Sequence, residues 1–121
     1  SKFEKKIADQ LTKQGVEFRY EEEKLKYTVP SSQHTYTPDF ILPNGIIIEA
    51  KGILDAETRK KMVAIVASNP DRDIRMVLMK NQPLRKGAKM FYGEWCEKNG
   101  IKWNEKEVPL TWIEEGNDGT L

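Results

Sequence analysis

Cysteine is almost absent from this chain: Cys96 is the only one among 121 residues. An internal disulfide is excluded, and the composition suits a reducing compartment. Histidine is as scarce. His34 stands alone, so no imidazole set for a transition metal can be assembled, and it reads as a structural residue or a phosphate contact. Long apolar runs are missing, so no stretch reads as a membrane span, and no signal-peptide pattern is visible. The formal net charge is only +1, which by itself announces no nucleic-acid partner. Internal repeats and low-complexity tracts are absent. The chain opens on Ser1 rather than Met, as a trimmed or processed form would.

Charge itself is plentiful, and its placement is uneven. Residues 1–20 carry five basic side chains against three acidic, residues 80–102 six against two, and residues 103–121 one against five. The acidic end reads as a solvated tail, and the 80–102 segment as the best phosphate-facing surface. At this length one domain with a real core is expected.

The chain is organised around residues 36–52, YTPDFILPNGIIIEAKG. Tyr36 to Leu42 and Ile46 to Lys51 are rich in aromatic and β-branched residues, and Pro43-Asn44-Gly45 is turn chemistry between them. The spacing predicts a hairpin in which Leu42 faces Ile46, Ile41 faces Ile47, Phe40 faces Ile48 and Asp39 faces Glu49. Side chains alternate, so Lys51 shares a face with Glu49 and Ala50 points the other way. Two carboxylates set opposite each other repel. A divalent cation between them relieves the repulsion, and an oxygen ligand set suits Mg²⁺ or Mn²⁺. Lys51 can then orient or help deprotonate a water, or stabilise charge developing on a phosphate. The alternative is a surface ion cluster at the strand ends.

The rest of the pattern frames this hairpin. Lys2 to Gln14 reads as a helix with Phe3, Ile7, Ala8 and Leu11 as its apolar stripe, Ser1 as cap and Gly15 as stop. Glu4 falls on the core-facing side of the first turn. There it is either an acid favoured by the helix dipole or a third carboxylate aimed at the site. Val16 to Glu21 and Leu25 to Val29 read as strands, and Pro30-Ser31-Ser32-Gln33 as a loop or an extended connector. Asp55 caps a helix running to Ser68, with Met62, Val63, Ile65 and Val66 inward and Arg59-Lys60-Lys61 as a basic patch. Ile74 to Met79 reads as a central strand, parallel to Ile46–Lys51 through a βαβ unit. A loop through Pro83 and Gly87 follows, then a helix from Ala88 to Lys98 packing through Met90, Phe91, Trp95 and Cys96. A short strand at Ile101 to Trp103 and a turn from Pro109 to Glu114 close the domain, with Pro109 at the first helical position and Trp112 inward.

Pro38-Asp39, nine intervening residues and then Glu49-Ala50-Lys51, after a helix bearing Glu4, resembles the PD-(D/E)xK nuclease superfamily. More of the chain resembles one family within it. Tyr27, Pro30-Ser31-Ser32, the run from His34 to Phe40, Leu42 to Ile46, Glu49 to Gly52, Arg59-Lys60-Lys61, Tyr92-Gly93-Glu94, Cys96-Glu97-Lys98 and Gly100-Ile101-Lys102 are similar to the phage endonuclease I family, the T-seven-type Holliday-junction resolvases. The resemblance covers nearly the whole chain in one register. It implies an α/β, restriction-endonuclease-like mixed sheet flanked by helices, in a segment-exchanged homodimer. The bridge falls at residues 30–33, with residues 1–29 of one chain packing on 34–121 of the other.

The resemblance also implies a composite site. Asp39 and Glu49 become the hairpin ligands of one or two Mg²⁺ (or Mn²⁺) ions, the Ala50 carbonyl a further ligand, Glu4 the helix glutamate and Lys51 the catalytic lysine. The implied activity is phosphodiester hydrolysis at a four-way DNA junction, by paired nicks that leave 5′-phosphates. Its setting would be the cytoplasm of a phage-infected or prophage-carrying bacterium. Lys5, His34, Arg59, Lys60, Lys61, Lys80, Arg85, Lys86 and Lys89 are the candidate DNA contacts. This sequence departs from the family pattern at both ends, which there are basic. That bears on affinity and junction selectivity more than on chemistry. Two other functions stay open: a monomeric repair or restriction-type nuclease on linear duplex, and a non-catalytic DNA-binding module of the same fold.

Overall fold

A computed structural model describes residues 1–29 and 32–116. Helix α1 (Lys2–Lys13) begins with a capping box: the Glu4 N–H donates to the Ser1 hydroxyl, and the Glu4 side chain returns to the Ser1 backbone. Then come β1 (Arg19–Tyr20), β2 (Leu25–Val29), β3 (Ser32–Tyr36), β4 (Phe40–Ile41) and β5 (Ile47–Lys51). Helix α2 (Ala56–Ser68), β6 (Ile74–Leu78), α3 (Tyr92–Lys98), β7 (Trp103–Glu105) and α4 (Leu110–Glu114) follow.

Five strands form one mixed sheet in the order β1-β4-β5-β6-β7. β1 with β4 and β4 with β5 are antiparallel, whereas β5 with β6 and β6 with β7 are parallel. The parallel β5–α2–β6 unit is as the sequence predicts. So is the hairpin register: Phe40 pairs with Ile48 and Ile41 with Ile47, the Leu42 N–H donates to the Ile46 carbonyl at 2.9 Å, and Gly45 has φ +90° in the turn. Only glycine takes that φ without strain.

The sheet is covered on both sides. Phe3, Ile7 and Leu11 of α1 pack on Phe40, Leu42, Ile48, Ala50 and Val77, together with Trp112 of α4. Met62 and Ile65 of α2 and Trp95 and Cys96 of α3 pack on Ile41, Ile47, Met76 and Leu78 from the other side. Each fully buried Ile, Leu or Met there contributes roughly 2 kcal/mol. The two ends of the chain are stitched together. The Gln10 side chain donates to the Val108 carbonyl at 2.8 Å and accepts from its N–H at 2.9 Å. Asn44, in the hairpin turn, donates to the carbonyls of Trp112 and Glu115 at 2.8 and 3.0 Å.

Several expectations change. The strand expected from Tyr36 to Leu42 is split. Tyr36 ends β3, which pairs with β2 in a separate two-stranded sheet, and Phe40 starts β4. Pro38 between them has no N–H to give a ladder. Ser32 and Gln33, expected in a connector, are the first residues of β3, opposite Val29 and Thr28; Pro30 and Ser31 lie outside the described residues. The Val16–Glu21 strand shrinks to Arg19–Tyr20, because Glu21 turns the chain with φ +50°. Helix α3 starts at Tyr92 rather than Ala88: the Leu84 N–H donates to the Met90 carbonyl, and Phe91 bridges Pro83, drawing residues 84–91 into a loop of their own. Phe91 and Val63 are exposed rather than packed, at 38% and 42%. The last strand is shifted to Trp103–Glu105, and Pro109 is the cap of α4 rather than its first residue. The acidic tail beyond residue 116 lies outside the described residues.

Candidate active site

Asp39 immediately precedes β4, where the hairpin strands have stopped pairing. One of its oxygens, Oδ2, accepts from the Ala50 N–H at 2.9 Å. In a strand the N–H and carbonyl of one residue point to the same side, so the Ala50 carbonyl is directed toward Asp39 as well. The ladder to β6 uses the alternate residues, as in the Met79 N–H to Lys51 carbonyl bond of 3.0 Å.

Glu49 and Lys51 share the α2-side face, and Lys51 Nζ lies 3.5 Å from Glu49 Oε2. The other oxygen, Oε1, accepts from the Tyr36 hydroxyl at 2.7 Å. Glu4 arrives from the α1 layer. One carboxylate oxygen each from Glu4, Glu21 and Asp39 lie within 4.8 Å of one another. The Tyr20 hydroxyl is 3.5 Å from Glu4 Oε1. Asp39 thus stands between two glutamates, one from each layer.

The titration behaviour reflects this crowding. Burial, and then the charge of Glu49, push the Asp39 carboxyl up to about 8, against the pull of the Ala50 N–H. Burial likewise raises Glu49, opposed by the Tyr36 hydroxyl and by Lys51. Burial acts to raise Glu4 too, but is outweighed by its hydrogen bond with Asp39 and by the Ser1 amino group, so Glu4 sits below its ordinary value. Glu4 and Asp39 are thus driven in opposite directions. Burial and Glu49 push the Tyr36 phenol far up, so it remains a donor. The donor set is all oxygen and carries more negative charge than Lys51 can balance. That set fits a hard divalent cation such as Mg²⁺ or Mn²⁺.

Of the predicted site residues, Glu4 is brought to Asp39 and Lys51 to Glu49, and the Glu49 charge acts on Asp39, although Glu49 lies outside the group of carboxylates within 4.8 Å of one another. Two further side chains join them. Glu21 looks in sequence like one of three connecting glutamates, and only its positive φ gives it away. Tyr36 is hidden in sequence because the break at Pro38 separates it from β4.

The predicted DNA contacts come from several elements. Lys5 is exposed and lines a cleft of about 390 Å³ with Glu4, Ala8, Phe18 and Tyr20. Lys60 and Lys61 line another with His34, whose ring stacks on Tyr27 at 5.1 Å. Arg59 is folded back, donating to the Leu54 carbonyl at 2.6 Å. Lys80, Arg85, Lys86 and Lys89 are exposed on the segment after β6.

A mixed sheet whose hairpin carries Pro38-Asp39 on one side and Glu49-Ala50-Lys51 on the other, with a helix glutamate closing the gap, is the arrangement of the PD-(D/E)xK class. Within that class the chain belongs to the phage endonuclease I family, whose model matches residues 1–119. It is 47% identical over 116 residues to Endonuclease I of Escherichia phage T7, covering 95% of this chain and 78% of that protein. It is 45% identical over 116 residues to Endodeoxyribonuclease 1 of Enterobacteria phage T3, covering 95% and 76%.

Proposed function

We propose that this chain is a metal-dependent, structure-selective endodeoxyribonuclease that binds four-way DNA junctions and resolves them by paired nicks. The observation that carries the reading is the meeting of Glu4 with Asp39, next to Glu49 and its partner Lys51, with burial and the Glu49 charge keeping Asp39 from ionising freely. The names printed for the two relatives, an endonuclease and an endodeoxyribonuclease, support the reaction class and DNA as substrate.

Asp39, Glu49, the Ala50 carbonyl and Glu4 would hold one or two Mg²⁺ or Mn²⁺ ions. The metal, when bound, supplies Lewis acidity toward the phosphate and lowers the pKa of a coordinated water. Lys51 orients the attacking water or stabilises the charge that develops on phosphorus oxygens. In-line attack expels the 3′ oxygen and leaves a 5′-phosphate. Lys5, Lys60, Lys61, Lys80, Arg85, Lys86, Lys89 and His34 neutralise backbone phosphates and read shape rather than base edges.

We place this activity in a homodimer whose protomers exchange residues 1–29 across a bridge at residues 30–33. In that arrangement Glu4 of one chain would meet Asp39, Glu49 and Lys51 of the other. Contacts between α1 and the hairpin are the same whether made within a chain or between chains, and only the connection changes. The setting is the cytoplasm of a phage-infected or prophage-carrying bacterium. A monomeric nuclease on linear duplex is the second reading, favoured by one observation: a single chain already assembles all four groups.

The test is a labelled four-way junction and matched linear duplex, each with Mg²⁺ and with chelator, alongside sedimentation. Asp39→Ala and Glu49→Ala are expected to lose cleavage in Mg²⁺ and to keep junction binding. Full cleavage by both variants would rule the assignment out. A monomer that cuts linear duplex as fast as junction would select the second reading.

A further inference from the structure

Resting on the metal-centre reading above, we propose that the Tyr36 hydroxyl is a positioning group for Glu49: it fixes one carboxylate oxygen so that the other faces the cation site and Lys51. Tyr36 is the last residue of β3 and belongs to the two-stranded sheet, not to the sheet that carries Glu49. Its ring is 3% exposed and packs in the core among Leu25, Ile41 and Ile47. Packing accounts for the ring. It does not account for the oxygen, since phenylalanine would fill the same volume. Among the described residues the oxygen has one partner, Glu49 Oε1, at 2.7 Å.

Glu49 itself is 5% exposed, so water cannot take the place of that partner freely. A carboxylate on a long side chain turns about its last bond. With Oε1 held by the phenol and Oε2 within 3.5 Å of Lys51, that turn is stopped. The donor is also neutral. A lysine or arginine at this position would orient Glu49 equally well, but would cancel the charge that a divalent cation needs. Ligating carboxylates in metal sites are commonly held by such outer hydrogen bonds, whose loss lowers metal affinity or activity about 10- to 100-fold. The segment is economical in another way. Tyr36 sets Glu49, and three residues further on the same chain supplies Asp39, so one short stretch places both hairpin carboxylates.

The experiment is Tyr36→Phe, which removes one oxygen and keeps the ring. Mn²⁺ binding to the DNA-free protein, read by electron paramagnetic resonance, is expected to weaken about tenfold, with the metal-free melting temperature little changed. In junction cleavage at subsaturating Mn²⁺, kcat is expected to fall about tenfold or more with KM for DNA unchanged, and excess Mn²⁺ restores most of the rate. Mn²⁺ affinity within twofold of wild type, with an unchanged rate at low metal, would overturn the proposal. Wild-type protein that binds no Mn²⁺ that Glu49→Gln can abolish would overturn the metal-centre reading and this proposal with it. The two failures are therefore told apart by titrating the wild type and Glu49→Gln alongside Tyr36→Phe.

Discussion

Asp39→Asn should leave the protein inactive and more stable. In the metal-free fold the Asp39 carboxyl titrates at about 8, against an ordinary value of 3.8. Below about pH 4 the group is protonated in both folded and unfolded chains, and it contributes no difference. As pH rises the unfolded chain loses this proton while the folded chain keeps it. Wild-type stability therefore falls through the window from about 4 to about 8 and is flat above it. At about 1.36 kcal/mol per unit, the whole shift would cost about 4 kcal/mol at pH 7. Water at the partly exposed carboxyl and small movements of Glu4 relieve some of the repulsion, so about 2 kcal/mol is expected. Asparagine keeps an oxygen for the Ala50 N–H and offers Glu4 an N–H in place of the carboxyl proton. For a domain of this size the gain corresponds to about 8 °C in melting temperature. The assay is thermal unfolding by circular dichroism with chelator at pH 4.5, 7 and 8.5, then with Mg²⁺. The gap between variant and wild type should widen with pH and shrink when Mg²⁺ is added, because the metal stabilises only the wild type. Equal melting temperatures at pH 8.5, or a gap that ignores pH, would refute the reasoning.

Metal binding should release close to one proton at pH 7, and affinity should climb as pH rises toward 8, since the cation replaces the proton on Asp39; calorimetry in buffers of different ionisation enthalpy measures both. Gly93→Ala should cost about 2 kcal/mol in a denaturant melt, because a Cβ there would overlap the Trp103 indole. Acid should unfold the protein through the Arg75 cluster. Hydrogen bonds from the buried Arg75 hold Asp73 and Glu115 below their ordinary values, so the stability they give is present above about pH 4 and lost as pH falls through their folded values. Melts between pH 2 and 5 should show that slope, and the Asp73→Asn, Glu115→Gln double variant should flatten it.

The hairpin was legible because three independent signals agree there: turn residues at Pro43-Asn44-Gly45, aromatic and β-branched residues on both sides, and isoleucines that must face a core. Glu4 was legible from its spacing to Ile7, Ala8 and Leu11. What the sequence hid depends on partners far along the chain. Arg75 sits in what reads as an apolar strand, yet it is fully buried. Its guanidinium is gripped by Asp73 and by Glu115 forty residues on, 5.2 Å from the Trp112 ring. Ala88, Lys89 and Met90 favour a helix locally, and the pairing of Leu84 with Met90 overrules them. Tyr36 and Glu21 were missed because a proline break and a left-handed residue redirect the chain within two or three positions, which periodicity cannot register.

The hairpin turn that sets the carboxylate register is fastened through Asn44 to carbonyls as far on as Glu115, 71 residues later. A ribosome adds about 5–20 residues per second, so the turn waits roughly 4–14 s after synthesis before that fastening exists. A nascent chain of this kind would make its carboxylate hairpin well before the contacts that hold the turn of that hairpin in place.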